Sequence, residues 1–243
     1  MKKLEPKLYD AMFTRKSTRA FSGAEVSEKT LEKIREFLAN VVPINNTVRY
    51  SFDIQNLKDG TYKVNAFYDD TLLGNVNVGF CLQQLDLYLQ TLDLGSLWLG
   101  MSMKPKNSEE FLPLKYSICL VFGIAKGSPK RVVTEFERKP IDKTIDSPEM
   151  FEVFEPVRLA PSACNGQPWF FVAENNTTVH AYCVEHGFVK KRLFGKMNQV
   201  DMGITLCHAA LALQHTGMEF DIHILGNAPK KEGHYYIATL KLI

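Results

Sequence analysis

The chain has 243 residues, 45% of them hydrophobic and 23% charged, which is enough apolar material for one sizeable core or two smaller ones and too much for a disordered chain. Its 29 basic residues are interspersed with 27 acidic ones for a formal net charge of +2, so composition offers no footprint for nucleic acid. Glu5, Pro6 and Asp10 interrupt the stretch where a secretory leader needs unbroken apolar residues, and no window approaches the roughly 18 apolar residues of a membrane span. The expectation is a cytoplasmic protein that engages neither nucleic acid nor membrane.

Near the N-terminus, Arg15-Lys16-Ser17-Thr18-Arg19-Ala20-Phe21 gathers three cations and two hydroxyls within five residues. Guanidinium groups engage phosphate oxygens bidentately and a hydroxyl adds a further hydrogen bond, so this composition suits a terminal phosphate; the plain alternative is a solvated basic turn. Leu31, Ile34, Phe37 and Leu38 then recur at helical spacing behind Ser27, a candidate N-cap, which predicts a helix from about residue 28. Strands are expected at Tyr50–Gln55, Tyr116–Gly123 and Tyr235–Leu242. The segments Gly79–Leu94 and Gly203–Thr216 are apolar nearly all round, as central buried helices are. Ser147-Pro148-Glu149 supplies a capping hydroxyl, a proline for the first turn and a carboxylate there, which predicts another helix running to about Leu159.

After that helix, Ala160-Pro161-Ser162-Ala163-Cys164-Asn165-Gly166-Gln167-Pro168-Trp169 leads into the apolar Phe170-Phe171-Val172. Two prolines and a glycine fix an irregular loop whose serine, asparagine and glutamine can offer donors and acceptors to a planar heteroaromatic edge. The alternative is an ordinary helix-to-strand turn in which Asn165-Gly166 supplies positive φ. Five cysteines without CxxC spacing and six histidines without an HExxH pattern point away from disulfides and zinc.

The two halves also repeat one another. Gly79 and Gln90 match Gly203 and Gln214 at an offset of 124, Tyr116 matches Tyr236 at 120, and Pro43 and Phe52 match Pro161 and Phe170 at 118. The order helix, proline loop, strand, buried helix, strand occurs twice, which suggests duplication of a unit of about 120 residues.

The N-terminal RKSTRAF resembles the RxSxRxF signature of the nitroreductase family, and RLAPSACNGQPWFFV resembles that family's longer APSxxNxQPWxF signature. LDLGSLWLGMSM is similar to the glycine-bearing loop that follows the family's central helix, and the full layout is most like the TM1586-like subgroup. The resemblance implies an α+β nitroreductase-like fold, central antiparallel sheets flanked by helices, internally duplicated as a pseudo-dimer. Its halves would be residues 1–130 and 131–243, together one compact unit, monomeric through the internal pairing. In the family, FMN lies between two subunits, the first signature holding its phosphate and the second meeting the ribityl chain and ring. Here the resemblance implies one intact site per chain, because Val42-Pro43-Ile44-Asn45-Asn46-Thr47 has lost the QPW and Arg138-Lys139-Pro140 lacks the rest of RxSxRxF.

Carried over by position, Arg15, Lys16, Ser17 and Arg19 would bind phosphate, and Pro161, Ser162, Ala163, Asn165 and Gln167 the ribityl chain and ring. Leu99 and Gly100 match the loop near the flavin N5, with Trp98 where the family has proline. Arg138 is either the family's late phosphate ligand or a relic of the duplicated first motif. Phe21 or Trp98 would border the open flavin face or pack in the core. The implied reaction is two-electron ping-pong transfer from NADH or NADPH to a small electron-poor acceptor such as a nitroaromatic or quinone, with the flavin and no side chain carrying the chemistry. The rival readings are a flavin-binding protein with little turnover and a specialised flavoenzyme on the same fold, of dehalogenase or ring-dehydrogenase type.

Overall fold

The computed structural model describes residues 2–243. The chain begins with the short α1 (Leu8–Ala11) and α2 (Glu28–Ala39), followed by the hairpin β1 (Tyr50–Asn56) and β2 (Thr61–Tyr68). The long α3 (Leu72–Thr91) leads to β3 (Gly95–Leu99) and β4 (Lys115–Gly123). The order then recurs: α4 (Phe151–Arg158), the hairpin β5 (Trp169–Asn175) and β6 (Thr178–Val184), the long α5 (Phe188–His215), and finally β7 (Phe220–His223) and β8 (His234–Leu242). The strands form two antiparallel four-stranded sheets with the same layout, β1-β2-β4-β3 and β5-β6-β8-β7. Two sheets of one topology on one chain fit an internal duplication.

Local chemistry explains the turns. The β1–β2 turn is closed by Asn56, whose Oδ1 accepts the Lys58 N–H at 2.7 Å, and it ends on Gly60 at a φ of +78°. A Cβ at Gly60 would also lie 2.4 Å from the Gly23 carbonyl oxygen, so the residue is glycine on two counts. The β5–β6 turn is closed the same way, by Asn175 Oδ1 accepting the Thr177 N–H at 2.9 Å.

At the centre, α3 and α5 pack backbone to backbone. A Cβ on Gly79 would lie 2.0 Å from the Val200 carbonyl oxygen, and one on Gly203 would lie 1.9 Å from that of Val76. The glycines paired by the sequence repeat therefore face one another's helix, and only hydrogen fits there. Two polar side chains sealed in this contact meet: Gln83 Nε2 lies 3.1 Å from His208 Nε2, and His208 Nδ1 lies 2.8 Å from the Pro156 carbonyl oxygen, while Gln83 Oε1 has no partner among the described residues. These partners define one tautomer, with Nδ1–H donating to the carbonyl and Nε2 accepting from the amide. Burial lowers the His208 pKa to about 3, so the ring is neutral.

Two expectations need correcting. Residues 148–150 form a 3-10 turn ahead of α4, and Ser147 Oγ donates to Glu149 Oε2 at 2.8 Å instead of capping. The second central helix starts at Phe188, not near Gly203, because its first turns are partly solvated and carry Lys190, Lys191 and Arg192. Among the five cysteines, Cys164 is exposed and the other four are buried.

Candidate functional site

A cavity of about 870 Å³ opens between the segment after α1, the end of β3, the 160–168 loop and the outer turns of α5. That volume suits a ligand of cofactor size.

One end of the cavity is cationic. Residues 15–21 run beside the first sheet: Ser17 bridges Ser96 of β3, the Thr18 N–H donates to the Ser96 carbonyl at 2.8 Å, and Phe21 bridges Ala125. This places Arg15, Lys16, Ser17 and Arg19 along one wall. Lys16 and Arg19 are exposed. Arg15 is 2% exposed, pairs with Asp86 through Nη1 at 3.2 Å and reaches Ser17 Oγ through Nη2 at 3.3 Å. Its Nε has no hydrogen-bond partner among the described residues.

Arg131 and Arg138 enter from the connection after β4. Arg131 Nε donates to the Arg15 carbonyl at 2.9 Å, and its guanidinium lies 3.5 Å from the Phe136 ring centroid. Arg138 donates to the carbonyls of Ala160 (3.1 Å), Leu159 (3.1 Å) and Glu137 (2.9 Å), and to Asn165 Oδ1 at 2.8 Å. Desolvation first, and then neighbouring arginines, pull Arg131 down to about 10 and Arg138 to about 9. Guanidinium stays charged in proteins, so these shifts reflect the burial of the two groups first and mutual repulsion among the arginines second, not a loss of protons. Of the nearby acids, Asp86 is shared by Arg15, Ser96 Oγ and the Trp98 indole N–H (3.2 Å), and Glu135 accepts the Val132 N–H at 2.9 Å.

A further part of the wall is the 160–168 loop. Its left-handed residues are Cys164 (φ 50°), Asn165 (φ 54°) and Gln167 (φ 48°), whereas Gly166 takes a right-handed conformation, contrary to the simple Asn-Gly turn. Such non-glycine strain needs surrounding bonds to hold it. Ser162 Oγ accepts the Gln167 N–H at 2.9 Å, Asn165 Nδ2 donates to the Glu137 carbonyl at 2.9 Å, and Gln167 Oε1 accepts the Lys139 N–H at 2.8 Å. From beneath, Asp201 of α5 accepts the Ala163 N–H at 3.0 and 3.2 Å. Pro161, Ser162, Ala163 and Asn165 line the cavity; Gln167 is buried behind the loop as a brace and does not.

The apolar side is built by Ile118, Trp98 and the Leu193, Phe194, Met197, Val200 and Ile204 face of α5. Gly100 lines the mouth with Met101, while Leu99 pairs with Cys119 across β3 and β4 and falls outside the lining. Phe21 also stands outside it. Sequence reasoning missed Asp86, Arg131 and Asp201. A lone acid in each otherwise apolar central helix was the available signal for two of them. Arg131 carried none.

The 42–47 loop, which corresponds to the 160–168 loop, borders a pocket of about 210 Å³ lined by Lys2, Val42, Pro43, Ile44, Asn46, Asp221 and Ile222. Arg138 lies with Arg15 in the larger cavity and not here. Among the described residues no group of His, Cys, Asp and Glu is placed to hold a metal, and no helix is long and apolar enough to cross a membrane.

Comparison with known proteins places these features in a family. A solved structure of a "putative nitroreductase" from Thermotoga maritima is similar at a TM-score of 0.68 and 22% identity, over 97% of this chain and 93% of that one. Nitroreductase A from Vibrio parahaemolyticus gives 0.46 at 14% identity over 56% of this chain and 73% of that one. An FMN-dependent nitroreductase from Clostridium difficile gives 0.40 at 18% over 49% of this chain and 87% of that one. A search of curated proteins finds no match. The family model described as "Putative TM nitroreductase" matches residues 7–213, from before the arginine motif through most of α5, and the chain belongs to that family.

Proposed function

We propose that this nitroreductase-family chain is an FMN-dependent oxidoreductase that takes two electrons from NADH or NADPH and passes them to a small electron-poor acceptor such as a nitroaromatic or quinone. The observation that carries the reading is the polarity of the large cavity. One end concentrates Arg15, Arg19, Arg131 and Arg138 with Ser17, and an unpartnered Arg15 Nε; the far side is apolar and opens to solvent. A phosphate monoester would neutralise the first, and a planar ring would fit the second.

FMN, when bound, supplies reversible hydride acceptance, so no side chain need act as a nucleophile. The chain's own residues bind and orient. Asp86 fixes the Arg15 fork from the buried side, leaving Ser17 and the exposed Arg19 and Lys16 to meet phosphate oxygens. Asn165, locked by Arg138 and the Glu137 carbonyl, holds the loop that would border the ribityl chain and ring. At the mouth Met101 is 87% exposed and Leu193 60%, an apolar rim that admits an aromatic acceptor over an open face.

The test is spectroscopic. The purified protein is loaded with FMN, desalted and treated anaerobically with NADPH and then NADH. Bleaching of a retained flavin band by either nucleotide, and its return on adding a quinone, is the expected result. A retained band that neither nucleotide bleaches would leave a flavin-binding protein without this activity.

A further inference from the structure

Asp201 lines the cavity wall, is 3% exposed and accepts the Ala163 N–H with both oxygens. Its counterpart on α3, at the same offset of 124 that relates Gly79 to Gly203, is Asn77. Asn77 Oδ1 accepts the N–H groups of Ile44 (2.9 Å) and Asn45 (3.4 Å) in the 42–47 loop, which matches the 160–168 loop. Both central helices thus hold their proline loop by one side-chain oxygen. The job needs an acceptor and no charge, yet only the copy beneath the large cavity can ionise.

No cation compensates that position. From the second sheet it is faced by Cys183 and Tyr235, both pushed up by burial first, the thiol to about 12, so both are neutral. The stretch of α3 packed opposite, Val76 to Phe80, has no titratable side chain, and on α4 Glu155 and Arg158 pair with each other. The loop itself offers the exposed Cys164, and Arg15, Arg131 and Arg138 lie in the cavity wall with other partners. Burial raises the Asp201 pKa to about 8, with the Ala163 N–H opposing.

We infer that Asp201 is a positioning residue that serves as a neutral acid: it seats the 160–168 loop through Ala163, and forming its carboxylate at alkaline pH weakens the cavity's hold on an anionic ligand. A buried carboxylate without a cation draws in water or displaces its neighbours, and its charge opposes a phosphate in the same cavity. The ligand is the FMN of the proposed function, and that clause of the inference rests on it.

FMN dissociation constants are measured for the wild type, Asp201→Asn and Asp201→Ala at about pH 6.5 and about pH 9, with thermal melts of the ligand-free proteins over the same range and below. The wild type should lose affinity roughly threefold to tenfold more than Asp201→Asn across that interval. Asp201→Ala, which leaves the Ala163 N–H without its acceptor, should bind more weakly at both. In the melts the folded acid keeps its proton to about pH 8 while the unfolded one loses it near the ordinary aspartate value of 3.8, so wild-type stability falls relative to Asp201→Asn through that window. Parallel pH profiles for wild type and Asp201→Asn in both measurements overturn the inference. Absence of FMN binding at every pH would instead overturn the functional reading, and the ligand-free melts then decide the role of Asp201 alone.

Discussion

Arg15 and Arg19 belong to one short motif, but the structure uses them differently. Arg15 is sealed against Asp86, and removing it strands a buried carboxylate. Arg15→Ala should cost on the order of 3–5 kcal/mol of stability, read by denaturant unfolding, together with FMN binding. Arg19 is exposed and has no ion pair among the described residues. Arg19→Ala should leave the melting temperature within about a degree or two while raising the FMN dissociation constant roughly tenfold. Equal loss of stability in the two variants would contradict this division. The motif was legible because its residues are neighbours in sequence, and the split was not, because Asp86 lies 71 residues from Arg15. Gln167 shows the same limit: the sequence places it in the right loop, while its bond to Lys139 turns it away from the cavity.

A second prediction at this scale concerns pH. His208 is buried and neutral, its pKa lowered by burial to about 3 against the ordinary histidine value of 6.5. Between those values the unfolded chain binds a proton that the folded chain refuses, so the stability this group contributes is present above about pH 6.5 and is lost as pH falls toward 3. His208→Gln should flatten the acid side of the stability profile in urea titrations. An unchanged acid limb would show that His208 is not its source.

Among the elements, the α3–α5 contact is the most constrained. Gly79→Ala and Gly203→Ala each push a methyl group into a carbonyl of the facing helix, at 2.0 and 1.9 Å before relaxation. Each should destabilise by about 3 kcal/mol or more, beyond the usual overpacking cost because backbone must move. A loss below about 1 kcal/mol would mean that the helices can separate cheaply. Both helices were recognisable from apolar runs that no amphipathic surface helix carries. Strands β2 and β6 were harder to read because they are buried on both faces and show no alternation, and β7 has only four residues. The outer turns of α5 escaped because solvated lysines interrupt the apolar pattern just where the helix builds the cavity rim.

At the level of the whole molecule, the two sheets share one topology and their central helices exchange equivalent contacts, but the two proline loops have diverged. One lines about 870 Å³ together with the arginines; the other borders about 210 Å³ with Lys2 as its cation. This asymmetry was foreshadowed by the loss of QPW in the 42–47 loop. What the sequence could not reveal is where Arg138 goes, since it arrives from the connection between the halves and clamps the 160–168 loop. On the proposed function one chain supplies both the arginines and the 160–168 loop to its FMN site, so sedimentation of the FMN-bound protein should show flavin absorbance moving with the monomer.

The most direct measurement is the stoichiometry of FMN binding by calorimetric titration of the flavin-free protein. One FMN per chain is expected, bound roughly tenfold more weakly by Arg19→Ala with the stoichiometry unchanged. Two per chain would make the smaller pocket a working site, and no binding would contradict the assignment of the cavity.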